Sequence, residues 1–403
     1  MVKKKKGYPL EERDADIKAI LALALIHFTG DFYASFVNPL IPVFVKKLSL
    51  TMTQVGLIAG IGRFFAFVVQ PSAGYLADHY RTRVFMLGGP LLAMLFIPLV
   101  GIAPSFLTLL IFISLGSVGS AMFHPTSAGL VTTYAGSHPS FSMSVFTLGG
   151  TLAFGVGPIF ITYFVRFFGL EASPFTMVIG LPLMILLFRL VPAPKGEGLS
   201  SFGFLGSIKE ALGGVWKWVG LLWVVMVLRA FAGQSFLTFA PVLYSEKGYS
   251  LVSIGAFVSI FTVAGAGSGL LAGHFSDRFG YKPIFYVSHA LATPSLLLML
   301  HLPGRWIHLG ALFAGFFLLA TLPVGVSTAQ EFAPRGKSMV SSLMMGLAFG
   351  TGGMMTPLAG KAADVLSIRP VLSLLAFLPL LTVVVIALLP SKGYSHHNGV
   401  KLN

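Results

Sequence analysis

GYLADHYRTR at residues 74–83 and GHFSDRFGYK at residues 273–282 are two copies of one pattern, set 199 positions apart. Each places a glycine (Gly74, Gly273), then an aspartate four residues later (Asp78, Asp277), then basic side chains (Arg81 and Arg83; Arg278 and Lys282) between two apolar stretches. The same offset relates Pro42 to Pro241 and Gly56 to Gly255. A chain that repeats itself across its midpoint, between apolar segments, reads as two similar lobes of one membrane-embedded fold.

Composition supports this. The chain has 403 residues, 55% hydrophobic and only 10% charged, with a mean hydropathy of +0.87. A soluble domain carries about 25% charged residues. Apolar runs of about 20 residues, the length of a bilayer-crossing helix, recur from end to end. Alternation of the barrel-strand kind is absent, so internally bonded helices are expected. The net charge of +14 lies in short loops and reads as a topology signal rather than a nucleic-acid surface. With no cysteine, disulfides and thiolate metal sites are excluded. The lysine-rich start is followed by too long an apolar segment for a cleaved leader, and that segment reads as a retained first helix.

Twelve membrane segments are expected, near 17–45, 53–77, 84–101, 105–134, 139–165 and 174–191, then 215–244, 252–275, 283–302, 307–332, 338–362 and 369–390. This makes an all-α integral membrane protein of two six-helix halves, 17–191 and 215–390. A polar linker at 192–214 joins them, and tails at 1–16 and 391–403 flank them. The segments on the N-terminal side of the membrane hold 18 of the 27 Lys and Arg residues. The positive-inside rule therefore predicts that both termini are cytoplasmic. The inner (plasma) membrane is the expected location. LAFG at 152–155 recurs at 347–350, extending the repeat to the fifth and eleventh segments.

Ionisable groups at mid-membrane cost several kcal/mol and tend to mark a pathway. Asp31 lies near the middle of the first segment. His27 precedes it by one helical turn on the same face, with Ser35 and Asn38 continuing the polar stripe. These are the expected proton-coupling groups, Asp31 with His27. Arg63 in the second segment and Arg229 in the seventh are permanently charged planar forks suited to carboxylates, phosphonates or sulfonates. Asp31 can pair with one of them, not both, so an unpaired guanidinium favours an anionic substrate. His124, among Ser117, Ser120 and Ser127, and Gln234 join Arg63, Arg229 and Asn38 as expected substrate-binding residues. Glu331, four residues before Arg335, is expected to pair with Arg278 or Arg335. It would belong with the two Gly-x-x-x-Asp loops as a latch between the halves.

The paired loop motif resembles that of the major facilitator superfamily, whose loop between helices 2 and 3 carries it with a copy between helices 8 and 9. The second copy is the better match; the first has Tyr80 and His79 where that family usually has Gly and a basic residue. SVGSAMFHPTSAGLV (117–131), SVFTLGGTLAFGVGPI (144–159), STAQEFAPRGKSMVSSLMMGLAFGTGG (327–353) and AFLPLL (376–381) resemble the fosmidomycin-resistance branch of that superfamily. That branch commonly has Glu after His-Pro, where this chain has Thr126. The resemblance implies proton-driven export of small molecules, drug efflux and antibiotic resistance. In the expected cycle Asp31, with His27, takes a proton from outside. This loosens its pull on an Arg, which takes substrate from the cytoplasm, so that proton and substrate are exchanged. Import of a small carboxylate or sulfonate by proton symport uses the same residue types and stays open. A lipid-handling or receptor-like protein is the alternative of another class. No P-loop, catalytic constellation or zinc-ligand spacing is present. The expectation is therefore a transporter that is not an enzyme and has no catalytic residues, cofactor or metal. Its expected partners are a small, anionic substrate, protons and the lipid bilayer, not nucleic acid. One chain supplies a complete cavity and is expected to work as a monomer.

Overall fold

The computed structural model describes residues 15–79, 83–136, 139–191, 213–333, 340 and 343–390. Among these, every regular element is helical. The first half comprises α1 (Ile17–Leu48), α2 (Met52–His79), α3 (Val84–Ile102), α4 (Phe106–Tyr134), α5 (Pro139–Phe168) and α6 (Leu170–Leu190). The second comprises α7 (Trp216–Glu246), α8 (Leu251–Phe279), α9 (Tyr281–His301), α10 (Gly304–Phe332), α11 (343–366) and α12 (Ile368–Ala387). These are the twelve expected segments, each within a few residues of its predicted ends. The linker at 192–212 and both tails lie outside the described residues.

Large apolar side chains point outward along α6 (Phe175, Val178, Ile185, Phe188) and α12 (Leu374, Leu381, Val384). In water such faces would need a partner; in a bilayer they meet lipid tails. The interior is packed by close approach of backbones. A Cβ on Gly89 would lie 2.6 Å from the Gly119 carbonyl oxygen, and one on Gly119 would lie 2.4 Å from that of Gly89. This mutual contact lets α3 and α4 cross with nothing between them, the use small residues have in membrane helix pairs.

Two of the helices with irregular stretches lie near the site described below. α1 runs as Ile17–Ala34, breaks at Ser35 and Phe36, and resumes as Val37–Leu48. α11 opens with a π-helical turn, Leu343–Ala348, followed by Phe349–Met354 and Thr356–Leu366. The halves meet mainly through α2 with α11 and α5 with α8, and also through α1 with both α7 and α8 and α2 with α7. Both irregular helices lie in this interface.

Candidate functional site

Asp31 sits on the last turn before the break in α1 and is 3% exposed. His27 brings Nε2 to 3.1 Å from its Oδ2, and His124 on α4 brings Nε2 to 3.3 Å from its Oδ1. One carboxylate is thus shared by two imidazoles. The other ring nitrogens are also engaged: Nδ1–H of His27 donates to the Phe146 carbonyl at 2.9 Å, and Nδ1–H of His124 to the Ser120 carbonyl at 2.7 Å. A carbonyl only accepts, so both Nδ1 atoms carry hydrogen. Each contact with Asp31 is therefore a hydrogen bond only when a further proton lies between nitrogen and oxygen. Each such proton would be shared between an imidazole and the carboxylate.

Neighbouring helices hold it in place. The Phe146 ring stacks on His27 at 4.3 Å and the Phe123 ring on His124 at 4.2 Å. Gly150 on α5 supplies the room: a Cβ there would lie 2.4 Å from His27 Nε2 and 2.9 Å from Asp31 Oδ2. The nitrogen and oxygen ligand atoms of His27, Asp31 and His124 lie within 4.8 Å of one another. The sequence pattern links only His27 to Asp31. The partnership with His124 depends on α1 meeting α4, which no local spacing announces.

The two arginines converge on a second centre at the interface. Arg63 Nε donates to Gln234 Oε1 at 2.9 Å, joining α2 to α7. Its guanidinium lies 4.9 Å from the centre of the Phe349 ring, and that of Arg229 lies 5.6 Å from the same centre. The stem of Arg63 packs on Gly353, where a Cβ would come within 2.2 Å of it. Arg229 is 2% exposed. Its Nη2 donates to the Leu319 carbonyl at 3.3 Å, while Nε and Nη1 have no partner among the described residues. Neither arginine forms an ion pair with Asp31, whose two oxygens are taken by imidazoles; Arg63 acts on Asp31 only through space. Among the described residues Asp31 is the one carboxylate in the middle of a span. Glu171, Glu246, Asp277, Glu331 and Asp364 all lie within two residues of a helix end. Phe349 was not singled out by sequence, since an aromatic in an apolar helix reads as core; its place in the repeated LAFG was the available signal.

The remaining expected residues are placed as follows. Asn38 is half-buried beyond the break in α1, and no hydrogen bond joins it to the Asp31 cluster. Gly74 and Asp78 lie on the last two turns of α2, and Arg81 is outside the described residues. Arg83 donates to the Phe188 carbonyl at 3.2 Å and Lys282 to that of Ala387 at 3.3 Å, so both bind helix C-terminal ends. Gly273 has open space around it, and Asp277, Arg278 and Glu331 form no ion pair among the described residues. The expected Glu331–Arg278 pair is therefore not formed, and Arg335 lies outside the described residues. Beyond the end of α7, burial and the neighbouring Arg369 push the Lys247 ammonium below its usual range.

Comparison with known proteins places this architecture. The chain is 25% identical over 373 residues to the fosmidomycin resistance protein of Escherichia coli (strain K12), covering 91% of each chain. It is 28% identical over 385 residues to the uncharacterized MFS-type transporter YfnC of Bacillus subtilis (strain 168), covering 92% of each. A bacterial homolog of the human lysosomal transporter Spinster has the same fold, with a TM-score of 0.73 at 16% identity over 92% of this chain and 96% of that one. Residues 23–355 match the sequence profile of the Major Facilitator Superfamily. This multi-pass membrane protein is therefore a transporter, not an enzyme, and belongs to the major facilitator superfamily.

Proposed function

We propose that the chain is a proton-coupled secondary transporter of a small organic anion, working as an exporter of drug-like compounds as the name of its fosmidomycin-resistance relative suggests. The observation that carries the anion is Arg229. A guanidinium buried at membrane depth with two unsatisfied donors is costly, and an incoming carboxylate, phosphonate or sulfonate supplies the missing charge and acceptors at once. Arg63 from the first half, with Gln234 and Phe349 from the second, completes the receptor.

The His27–Asp31–His124 cluster is the proton site in this reading. The charged group facing it from α2 is Arg63; α4 contributes His124 itself, and α5 presents the Phe146 ring and carbonyl and the backbone at Gly150, none of them charged. Filling the cluster with protons cancels the negative charge that draws on Arg63. That strengthens the pull of both arginines on an anion. The electrostatics thus favour proton and anion binding together, a specific reason to keep inward symport as the second reading beside export by exchange.

Reconstitution in proteoliposomes tests the proposal. A panel of phosphonates, sulfonates and carboxylates is screened by thermal shift, and each hit is assayed for flux under an imposed pH gradient. Flux indifferent to the gradient, or unaltered in Asp31→Asn, rejects proton coupling at this cluster. Acid-tightened substrate binding assigns symport; acid-weakened binding assigns exchange.

A further inference from the structure

Asp364 lies two residues before the end of α11, at the opposite end of that helix from the π-helical turn. Its Oδ1 accepts the Met52 N–H at 2.6 Å, and its Oδ2 accepts the Thr53 N–H at 2.9 Å and the Thr53 hydroxyl at 2.5 Å. Met52 and Thr53 open α2. Their N–H groups belong to the first turn, which has no acceptor within its own helix and carries the positive end of the helix dipole. A carboxylate from the second half of the chain thus caps a helix of the first.

Packing continues the contact inward along the same two helices. A Cβ on Gly360, one turn before Asp364, would lie 2.1 Å from the Met52 carbonyl oxygen; one on Gly56, one turn into α2, would lie 2.7 Å from the Pro357 Cα. The Thr356 hydroxyl donates to the Gly56 carbonyl at 2.9 Å. The zip is too close to admit any side chain and is bonded at its outermost turn by Asp364.

α2 and α11 run antiparallel, so their C-terminal ends lie at opposite ends of the pair. At the far end of α2, the loop motif places Asp78 on the last turn. One helix pair therefore carries an acid on the last turn of each member, at opposite ends of the pair. We propose that Asp364 is a positioning residue of the transport cycle. It holds the halves together at this end and must release α2 before the interface opens there, as the counterpart of the Gly-x-x-x-Asp loop across the bilayer. This rests on the chain being an alternating transporter, as proposed above.

The absence of cysteine gives a clean test. Lys46→Cys and Val365→Cys put spin labels on exposed positions of the two halves beside the latch. Pulsed electron paramagnetic resonance then reads their separation in the full-length protein in nanodiscs. The parent pair should give one dominant short distance. In Asp364→Ala, the ratio of long to short distances should rise by about fivefold, the effect of removing a helix cap of ordinary strength. Asp364→Asn, which still accepts hydrogen bonds but lacks the charge, should fall between. Thr53→Val, which removes one of the three bonds, provides a second variant if Asp364→Ala does not fold. Unchanged distance distributions in folded Asp364→Ala, or in folded Thr53→Val where the first cannot be made, overturn the proposal. So does a lowered thermal midpoint with no change in populations, since that marks a merely stabilising contact. Flux assays on the parent chain report separately: a shifted distance ratio in a chain that moves no anion leaves the latch standing and removes the transport reading.

Discussion

Arg229 is buried with Nε and Nη1 unbonded among the described residues, a costly arrangement that the proposed anion would relieve. Replacing buried ionic groups by well-packed apolar ones is often neutral or stabilising by about 1–4 kcal/mol. Arg229→Met should therefore raise the thermal midpoint of the substrate-free protein while abolishing anion binding, measured by thermal unfolding and ligand titration on the same preparation. A fall in the midpoint would mean that the guanidinium is satisfied in the resting protein. Gly150 offers a test of the proton cluster without altering any titratable group. Even the methyl of Gly150→Ala must displace His27 or Asp31. Overpacking of this kind costs about 1–3 kcal/mol. The expected result is at least tenfold weaker pH-driven flux from a protein that still folds, read in proteoliposomes.

At the scale of elements, the two halves differ in one informative place. Lys47, at the end of α1, donates to the Gly101 carbonyl at 2.7 Å and pairs with Glu171 at 3.2 Å. Lys247, just past α7, donates to the repeat-related Leu300 carbonyl at 2.9 Å. Gly169 and Ser367 are matching left-handed turns with φ of 84° and 71°, and two residues beyond them stand Glu171 in one half and Arg369 in the other. The second half thus has a base where the first has an acid, and Arg369 turns to the same Leu300 carbonyl at 3.5 Å. Arg369→Glu should recreate the ion pair and relieve the depression of Lys247. The expected gain is about 0.2–1 kcal/mol in thermal unfolding, fading at high salt.

Helix placement was legible because hydrophobic length is a local property: all twelve spans follow from apolar runs and basic loops. The break in α1 and the π-helical turn in α11 were not, because the length of an apolar run does not report backbone irregularity inside it. The site divides the same way. Asp31 and His27 announce themselves as polar residues one turn apart in an apolar helix, and Arg63 and Arg229 as charges too deep to be interfacial. Which acid meets which base was not legible. Asp31 was free to pair with an arginine by sequence, and the approach of α4 gave it His124 instead. Asp364, two residues from a helix end, reads as an ordinary interfacial acid until the start of α2 is placed beside it.

For the whole molecule, binding and stability are linked. A ligand that binds only the folded protein adds about 2.7 kcal/mol at a hundred times its Kd. A transported anion should therefore raise the thermal midpoint of the parent chain and leave that of Arg229→Met unmoved. A rise of equal size in both would place the ligand elsewhere.

The imidazole–carboxylate cluster belongs wholly to the first lobe, and the unsatisfied guanidinium to the second. In the proposed cycle fuel and cargo are thus received on separate pieces, bridged by the hydrogen bond from Arg63 to Gln234. Severing the polypeptide within 192–212 and co-expressing the fragments should preserve concentrative flux only when both reassemble, whereas either piece alone retains at most one of the two affinities and performs no work.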